Sequence, residues 1–121
     1  MRDIHLAYDE EGDILYLSFG PNRQASTLSL NDNIVLRYDP QAHKAVGLTV
    51  IGFSDLLVLE GQGKLLPLRD LAELPNALGQ LIKALITHPP VNLYLQISED
   101  RTHLTTRLAH QFSLADLLLA A

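Results

Sequence analysis

The stretch Tyr8-Asp9-Glu10-Glu11-Gly12-Asp13-Ile14-Leu15-Tyr16-Leu17 places a polar turn between two runs of alternating apolar residues. Residues 4–8 alternate with period two before the turn, and residues 14–19 do so after it. Such alternation is typical of β-strands with one buried face, and Gly12 is the turn residue that accepts a positive φ freely. The stretch therefore predicts an antiparallel β-hairpin.

The rest of the N-terminal half repeats this pattern. Residues 25–30 form a weaker, more polar strand that we expect at an edge of the sheet. Residues 34–38 alternate again, and residues 45–53 give the longest strand signal. Short strands joined by polar turns indicate antiparallel pairing, so residues 4–54 are predicted to form an antiparallel β-meander.

The second half mixes helices with strands. Ser54 is expected to cap a short helical turn, and Pro75 is expected to begin the main helix. The apolar stripe of that helix consists of Leu78, Leu81, Ile82, Leu85 and Ile86. Residues 91–98 and a second strand near residues 103–108 are predicted to pair as a β-hairpin.

The chain closes with a leucine-rich segment in which Ser113 and Asp116 have the spacing of a helix cap, which predicts a short helix from Leu114 to Ala120. The fold class is therefore α+β: an N-terminal antiparallel β-meander followed by a helix, a β-hairpin and a short C-terminal helix. A chain of 121 residues suits one domain, residues 1–121, in which residues 65–121 extend the meander.

Composition excludes several classes of protein. The chain has no cysteine, which rules out disulfides, thiolate metal sites and cysteine nucleophiles. Its formal net charge is −5 and its basic residues lie singly, which argues against a nucleic-acid partner. No apolar run has the length of a signal peptide or a membrane span, so we expect a cytoplasmic protein with no membrane association.

The turn and its flanking strands resemble the opening of domain-of-unknown-function family 2283, which begins with Tyr-Asp, a short acidic turn and Asp-x-Leu-Tyr-Ile. The resemblance continues through residues 34–39 and 46–51 and covers residues 4–54, with Thr49 where the family usually carries Glu and Arg37 where an acidic residue is common. It implies a small β-meander. Some members are thought to sit beside small toxin-like proteins, so the resemblance also implies an antitoxin-like role.

Candidate chemical sites are few, and no motif assigns a catalytic residue, a metal site or a cofactor. The turn carboxylates Asp9, Glu10 and Asp13 are hard oxygen ligands that suit a divalent cation, or they form a solvated turn. The five histidines have no helical ligand spacing. His88 and His103 could nevertheless converge on a pocket.

Two functions of different classes remain open. The first is a homo-oligomeric protein-interaction or regulatory module, expected to be a homodimer, in which Leu114, Leu117 and Leu118 contact the partner because the helix has more leucine than one buried stripe needs. The alternative is a small-molecule-binding protein, or a minor enzyme, with a pocket between sheet and helix. The absence of a catalytic motif favours the non-enzymatic function.

Overall fold

The computed structural model describes residues 4–20, 24–100 and 103–108. Along these residues the elements are β1 (Ile4–Asp9), β2 (Ile14–Phe19), β3 (Ser26–Ser29), β4 (Ile34–Asp39), β5 (Lys44–Ile51), α1 (Phe53–Gly61), β6 (Leu66–Pro67), α2 (Asn76–Ile86), β7 (Leu95–Asp100) and β8 (His103–Leu108). Short 3₁₀ turns lie at Leu71–Glu73 and Val91–Leu93. The α+β class is confirmed, and the predicted helix Leu114–Ala120 lies outside the described residues.

The N-terminal half is a five-stranded antiparallel sheet, as predicted, with the order β1-β2-β5-β4-β3. It consists of the hairpin β1-β2 and the three-stranded meander β3-β4-β5. The two are joined by the pairing of β2 with β5, since β2 does not pair with β3. Leu17 lies opposite Leu48 at this central pairing, and both side chains are buried. The polar strand β3 lies at the edge of the sheet, where its side chains are mostly exposed to solvent.

Two hairpin loops of this sheet end in a residue with positive φ that is not glycine. Asp13 before β2 and His43 before β5 both have φ of 54°. Asp and His are among the residue types that adopt this conformation most readily. The expectation for Gly12 was wrong, because Asp13 and not Gly12 makes the left-handed turn. A Cβ at Gly12 would lie 2.8 Å from Oδ2 of Asp9, the end of an exposed side chain that can move aside.

Helix α1 begins earlier than predicted. Strand β5 ends at Ile51, and Gly52, with φ of 71°, is the residue that precedes the first helical turn. Phe53 is buried in the core as the first helical residue instead of ending the strand. Ser54 lies inside the helix, so the prediction that it caps the helix from outside was wrong.

The C-terminal strands form a separate three-stranded sheet with the order β6-β8-β7. The predicted hairpin of β7 and β8 is confirmed, whereas β6 has two residues and gave no periodic signal. Residues 91–93 form a 3₁₀ turn instead of the start of a strand, since the N–H of Tyr94 donates to the carbonyl of Val91. Alternation over so few residues does not distinguish a strand from a helical turn.

Helix α2 lies within one residue of its predicted start, with Pro75 just before it. Ile82 and Ile86 are fully buried in a hydrophobic cluster that also contains side chains from both sheets. The other three residues of the predicted stripe, Leu78, Leu81 and Leu85, are only partly buried. Helix α2 therefore keeps apolar surface that the core does not cover.

Candidate functional site

A groove of about 1200 Å³ lies between α2 and one end of the five-stranded sheet. The antiparallel register brings the start of β1, the end of β2 and the β4–β5 loop to this end, where Ile4, Phe19 and His43 line the groove. The helix side continues past the end of α2 through His88 and Pro89. The groove is partly open to solvent, which gives a ligand a way in.

The helix side of the groove is an apolar face of α2. Ala77, Leu81 and Ala84 line it at intervals of three or four residues, which places them along one side of the helix. The two alanines are exposed and have short side chains, so α2 presents little side-chain bulk to the groove at these positions. This face adjoins the one that buries Ile82, which explains why the apolar pattern of α2 is wider than one core-facing stripe.

The polar groups of the groove are basic or neutral. They are His43, Lys44, Gln80 and His88, and the lining contributed by the described residues includes no Asp or Glu. Nδ1 of His88 lies 2.7 Å from the carbonyl oxygen of Ala84, and because a carbonyl only accepts, Nδ1 carries the hydrogen and donates. Nε2 is then the ring atom left for a ligand.

The structure places the two predicted pocket histidines differently. His88 lines the groove, whereas His103 is an exposed residue of β8 opposite Asp100 and does not line it. His43, which the sequence did not single out, is the second imidazole of the groove. Its position depends on the pairing of β5 with both β2 and β4, which no local pattern reveals.

The turn carboxylate Asp13 holds the start of α1. Its Oδ2 accepts a hydrogen bond of 2.6 Å from the hydroxyl of Ser54, and its Oδ1 accepts one of 2.6 Å from the hydroxyl of Tyr8. The backbone N–H of Ser54 also donates to the carboxylate, and the carbonyl oxygen of Asp13 accepts the N–H groups of Gly52 and Phe53. Asp13 thus satisfies N–H groups that a helix start leaves without partners.

These hydrogen bonds shift two pKa values in opposite directions. Burial alone would raise the pKa of Asp13, but the bonds from the Ser54 and Tyr8 side chains and the Ser54 backbone outweigh it and lower that pKa. The hydrogen bond to Asp13, with smaller contributions from burial and nearby carboxylates, raises the pKa of Tyr8 to about 12. The network therefore favours an ionised Asp13 and a neutral Tyr8.

Asp9 and Glu10, the other two carboxylates of the predicted cation site, are exposed at the surface. Within residues 4–20, 24–100 and 103–108, no group of three or more His, Asp or Glu residues could hold a metal ion. The cation site built on Asp9, Glu10 and Asp13 stays a prediction, and the structure shows that Asp13 already serves the fold through Tyr8 and Ser54.

Residues 5–54 match the family described as "Protein of unknown function (DUF2283)". Apart from Ile4, the matched region contains the five-stranded sheet and the residues by which the sheet lines the groove. It also contains the Asp13 network, while α2 lies beyond it. No curated protein and no solved structure matches the chain. Among the helices of the described residues, none is both long and apolar enough to cross a membrane.

Proposed function

We infer that this chain, whose residues 5–54 belong to the DUF2283 family, is a protein-interaction module that receives an apolar helix in the groove beside α2. The groove carries the inference. At about 1200 Å³ it exceeds the range of roughly 300–1,000 Å³ that is usual for small-molecule pockets. An open groove of this size suits a helix with its side chains, which is about 10 Å wide.

The walls of the groove support the same partner. Phe19, Leu81 and Leu85 supply apolar surface, and Ala77 and Ala84 leave room for an incoming backbone to approach α2 closely. An amphipathic helix that lays its apolar side chains into such a groove is a recurrent mode of recognition. Burial of several leucine side chains would supply most of the binding free energy.

The partner helix can come from a second copy of the same chain, so we propose self-association. Leu114, Leu117 and Leu118 are the proposed contacts, and they lie outside the described residues. In a two-fold dimer each copy offers the same surface to the other, so every contact is made twice. An antitoxin-like regulatory role would use the same groove to hold a partner protein.

The test measures the oligomeric state of the full chain by sedimentation velocity, from low micromolar concentration to about 0.1 mM. We expect a dimer whose dissociation constant rises at least about tenfold in Ala84→Glu, because a charge placed on the exposed floor of the groove loses its solvation when a helix docks. The matched control is Asn76→Glu, which adds the same charge on α2 outside the groove lining. A wild-type chain that stays monomeric throughout contradicts self-association.

A second candidate is a small molecule with an apolar body and an acidic group. It is favoured by Lys44 and the two imidazoles, His43 and His88, which lie among apolar walls. Native mass spectrometry of the purified chain tests it with a medium-chain fatty acid as the probe. A stoichiometric adduct that Ala84→Glu abolishes supports this candidate, and the absence of any adduct contradicts it.

A further inference from the structure

We propose that the groove of one copy binds the leucine-rich segment 109–121 of a second copy, with Asp116 of that copy placed against Lys44. The proposal rests on the proposed function, because it names the partner of the same groove. It differs from that function in committing to one segment, one charge pair and an intermolecular contact.

The first argument is charge complementarity. The chain carries 14 acidic and 9 basic residues, yet the described lining of the groove contains Lys44 and no carboxylate. Asp39, the cross-strand neighbour of Lys44, does not line the groove, and its Oδ1 accepts the N–H groups of Gln41 and Ala42. The groove is therefore a surface of this acidic protein that favours an acid-bearing segment.

The second argument is the chemistry of the segment. Residues 109–121 read Ala-His-Gln-Phe-Ser-Leu-Ala-Asp-Leu-Leu-Leu-Ala-Ala, with no Lys or Arg and with Asp116 as their one acidic side chain. Four leucines and a phenylalanine supply apolar side chains for the groove. Because Ser113 and Asp116 have the spacing of a helix cap, the sequence predicts a helical form, which is the shape the groove accepts.

The third argument is where the described chain ends. Leu108 lies opposite Leu95 in the β7–β8 pairing. Tyr94, the residue before Leu95, stacks on Phe19 with ring centroids 6.1 Å apart. Phe19 lines the groove, so the described part of the chain ends near the edge of the groove. When two copies meet with their grooves facing each other, each segment then starts at the dimer interface.

The length of the segment also suits this arrangement. Residues 109–113 span up to about 17 Å when extended, and a helix over residues 114–120 is about 10 Å long. The segment can therefore extend up to about 27 Å beyond Leu108, and the proposal uses this reach to join two copies.

A charge exchange in the full chain tests the pair. We expect Lys44→Glu and Asp116→Lys each to raise the dimer dissociation constant about three- to tenfold at low salt, since each places like charges together. The double variant Lys44→Glu/Asp116→Lys should return to within about twofold of the wild type. The control is Lys64→Glu, at an exposed lysine outside the groove lining. It should leave the dimer dissociation constant unchanged, and Asp116→Lys should not compensate for it.

The outcomes separate this proposal from the proposed function. A dimer that Ala84→Glu weakens, but that shows no restoration in the double charge variant, overturns the Lys44–Asp116 pairing and leaves the groove as the interaction surface. A wild-type chain that remains monomeric overturns both.

The absence of cysteine allows a direct test of which copy supplies the segment. Ala77→Cys and Leu118→Cys are mixed as separate full-length chains and oxidised, so that a disulfide between them joins two copies. We expect this mixed dimer by intact mass, and we expect much less of it when Thr27→Cys, on the edge strand β3, replaces Ala77→Cys. If instead the double variant Ala77→Cys/Leu118→Cys closes an intrachain disulfide without mixed dimers, the segment binds its own groove and the proposal is wrong.

Discussion

The carboxylate of Asp13 accepts a 2.6 Å hydrogen bond from the hydroxyl of Ser54, a residue 41 positions further along the chain. A helix is commonly capped by the residue that immediately precedes it, but Gly52 has no side chain to do so. The loop between β1 and β2 supplies the missing acceptor, because β2 and β5 pair and bring Ile14 opposite Ile51. The hairpin loop and the first helix therefore stabilise each other.

Replacement of Asp13 should lower the stability of the fold. Asp13→Ala removes the cap and also places alanine at a φ of 54°, so we expect a loss of about 2–3 kcal/mol in the free energy of unfolding. Asp13→Asn tolerates the same φ and should cost less. Urea denaturation measures both, with Asp32→Ala in an exposed loop as the control, expected to lie within about 0.5 kcal/mol of wild type.

The loss of folding stability at acid pH should depend on the carboxylate of Asp13. The folded protein lowers the pKa of Asp13 from its usual value of 3.8, so the folded state holds this proton less tightly than the unfolded state. The contribution of the ionised group is present above about pH 4 and is lost as the pH falls through the lower folded pKa. The difference in stability between wild type and Asp13→Asn should therefore shrink below pH 4. A difference independent of pH would contradict the assignment.

The alkaline limb should depend on Tyr8. Because its pKa is raised to about 12, the neutral phenol stabilises the fold below pH 10, and this contribution is lost as the pH rises from 10 through 12. Spectrophotometric titration of phenolate should show one late-titrating tyrosine fewer in Tyr8→Phe than in wild type. Burial also raises the pKa of Tyr94, so Tyr94→Phe provides the comparison. If Tyr8→Phe instead removes a tyrosine that titrates near pH 10, the hydrogen bond to Asp13 is contradicted.

Two glycines should respond to alanine in opposite directions. A Cβ at Gly47 would lie 2.5 Å from the backbone oxygen of Leu17, so Gly47→Ala has to displace β2 or β5 and should cost about 2 kcal/mol or more. A Cβ at Gly61, at the end of α1, meets no heavy atom within 4 Å. Gly61→Ala should therefore raise stability by about 0.5 kcal/mol through helix propensity. Equal effects of the two substitutions in thermal unfolding would contradict the close pairing of β2 with β5.

Alanine substitutions on the two apolar faces of α2 should also differ in their cost to stability. Ile82 is fully buried, so Ile82→Ala should cost about 3 kcal/mol, within the range known for cavities in cores. Leu81 is partly exposed and lines the groove, so Leu81→Ala should cost about 1 kcal/mol. Both are measured by denaturant unfolding at low protein concentration, so that association does not contribute. A larger loss for Leu81 than for Ile82 would reverse the assignment of the two faces.

Much of the fold was readable from local patterns. Alternation over residues 14–19 and 34–38 identified β2 and β4, and the polar composition of residues 26–29 placed β3 at an edge. Pro75 placed the start of α2 to within one residue. These predictions succeeded because strand alternation, helix periodicity and proline geometry are set by neighbours in the sequence.

The candidate site was much less readable. His88 was identified as a pocket residue, but its companion in the groove is His43 and not His103. The apolar stripe of α2 was visible, but its division between core and groove was not. Both features depend on which elements pack against α2, and that choice involves contacts between residues far apart in the chain.

The amino-acid sequence by itself determined the kinds of element, their approximate bounds, and an acidic chain without cysteine. Tertiary structure alone decided that β2 pairs with β5, that Asp13 caps a helix at Ser54, 41 positions further along the chain, and that His43, Lys44 and His88 line one apolar groove. The physical reason is range. Local conformation follows from sterics and periodicity over a few residues, whereas strand order and site geometry follow from burial, which compares all the apolar surfaces of the chain at once.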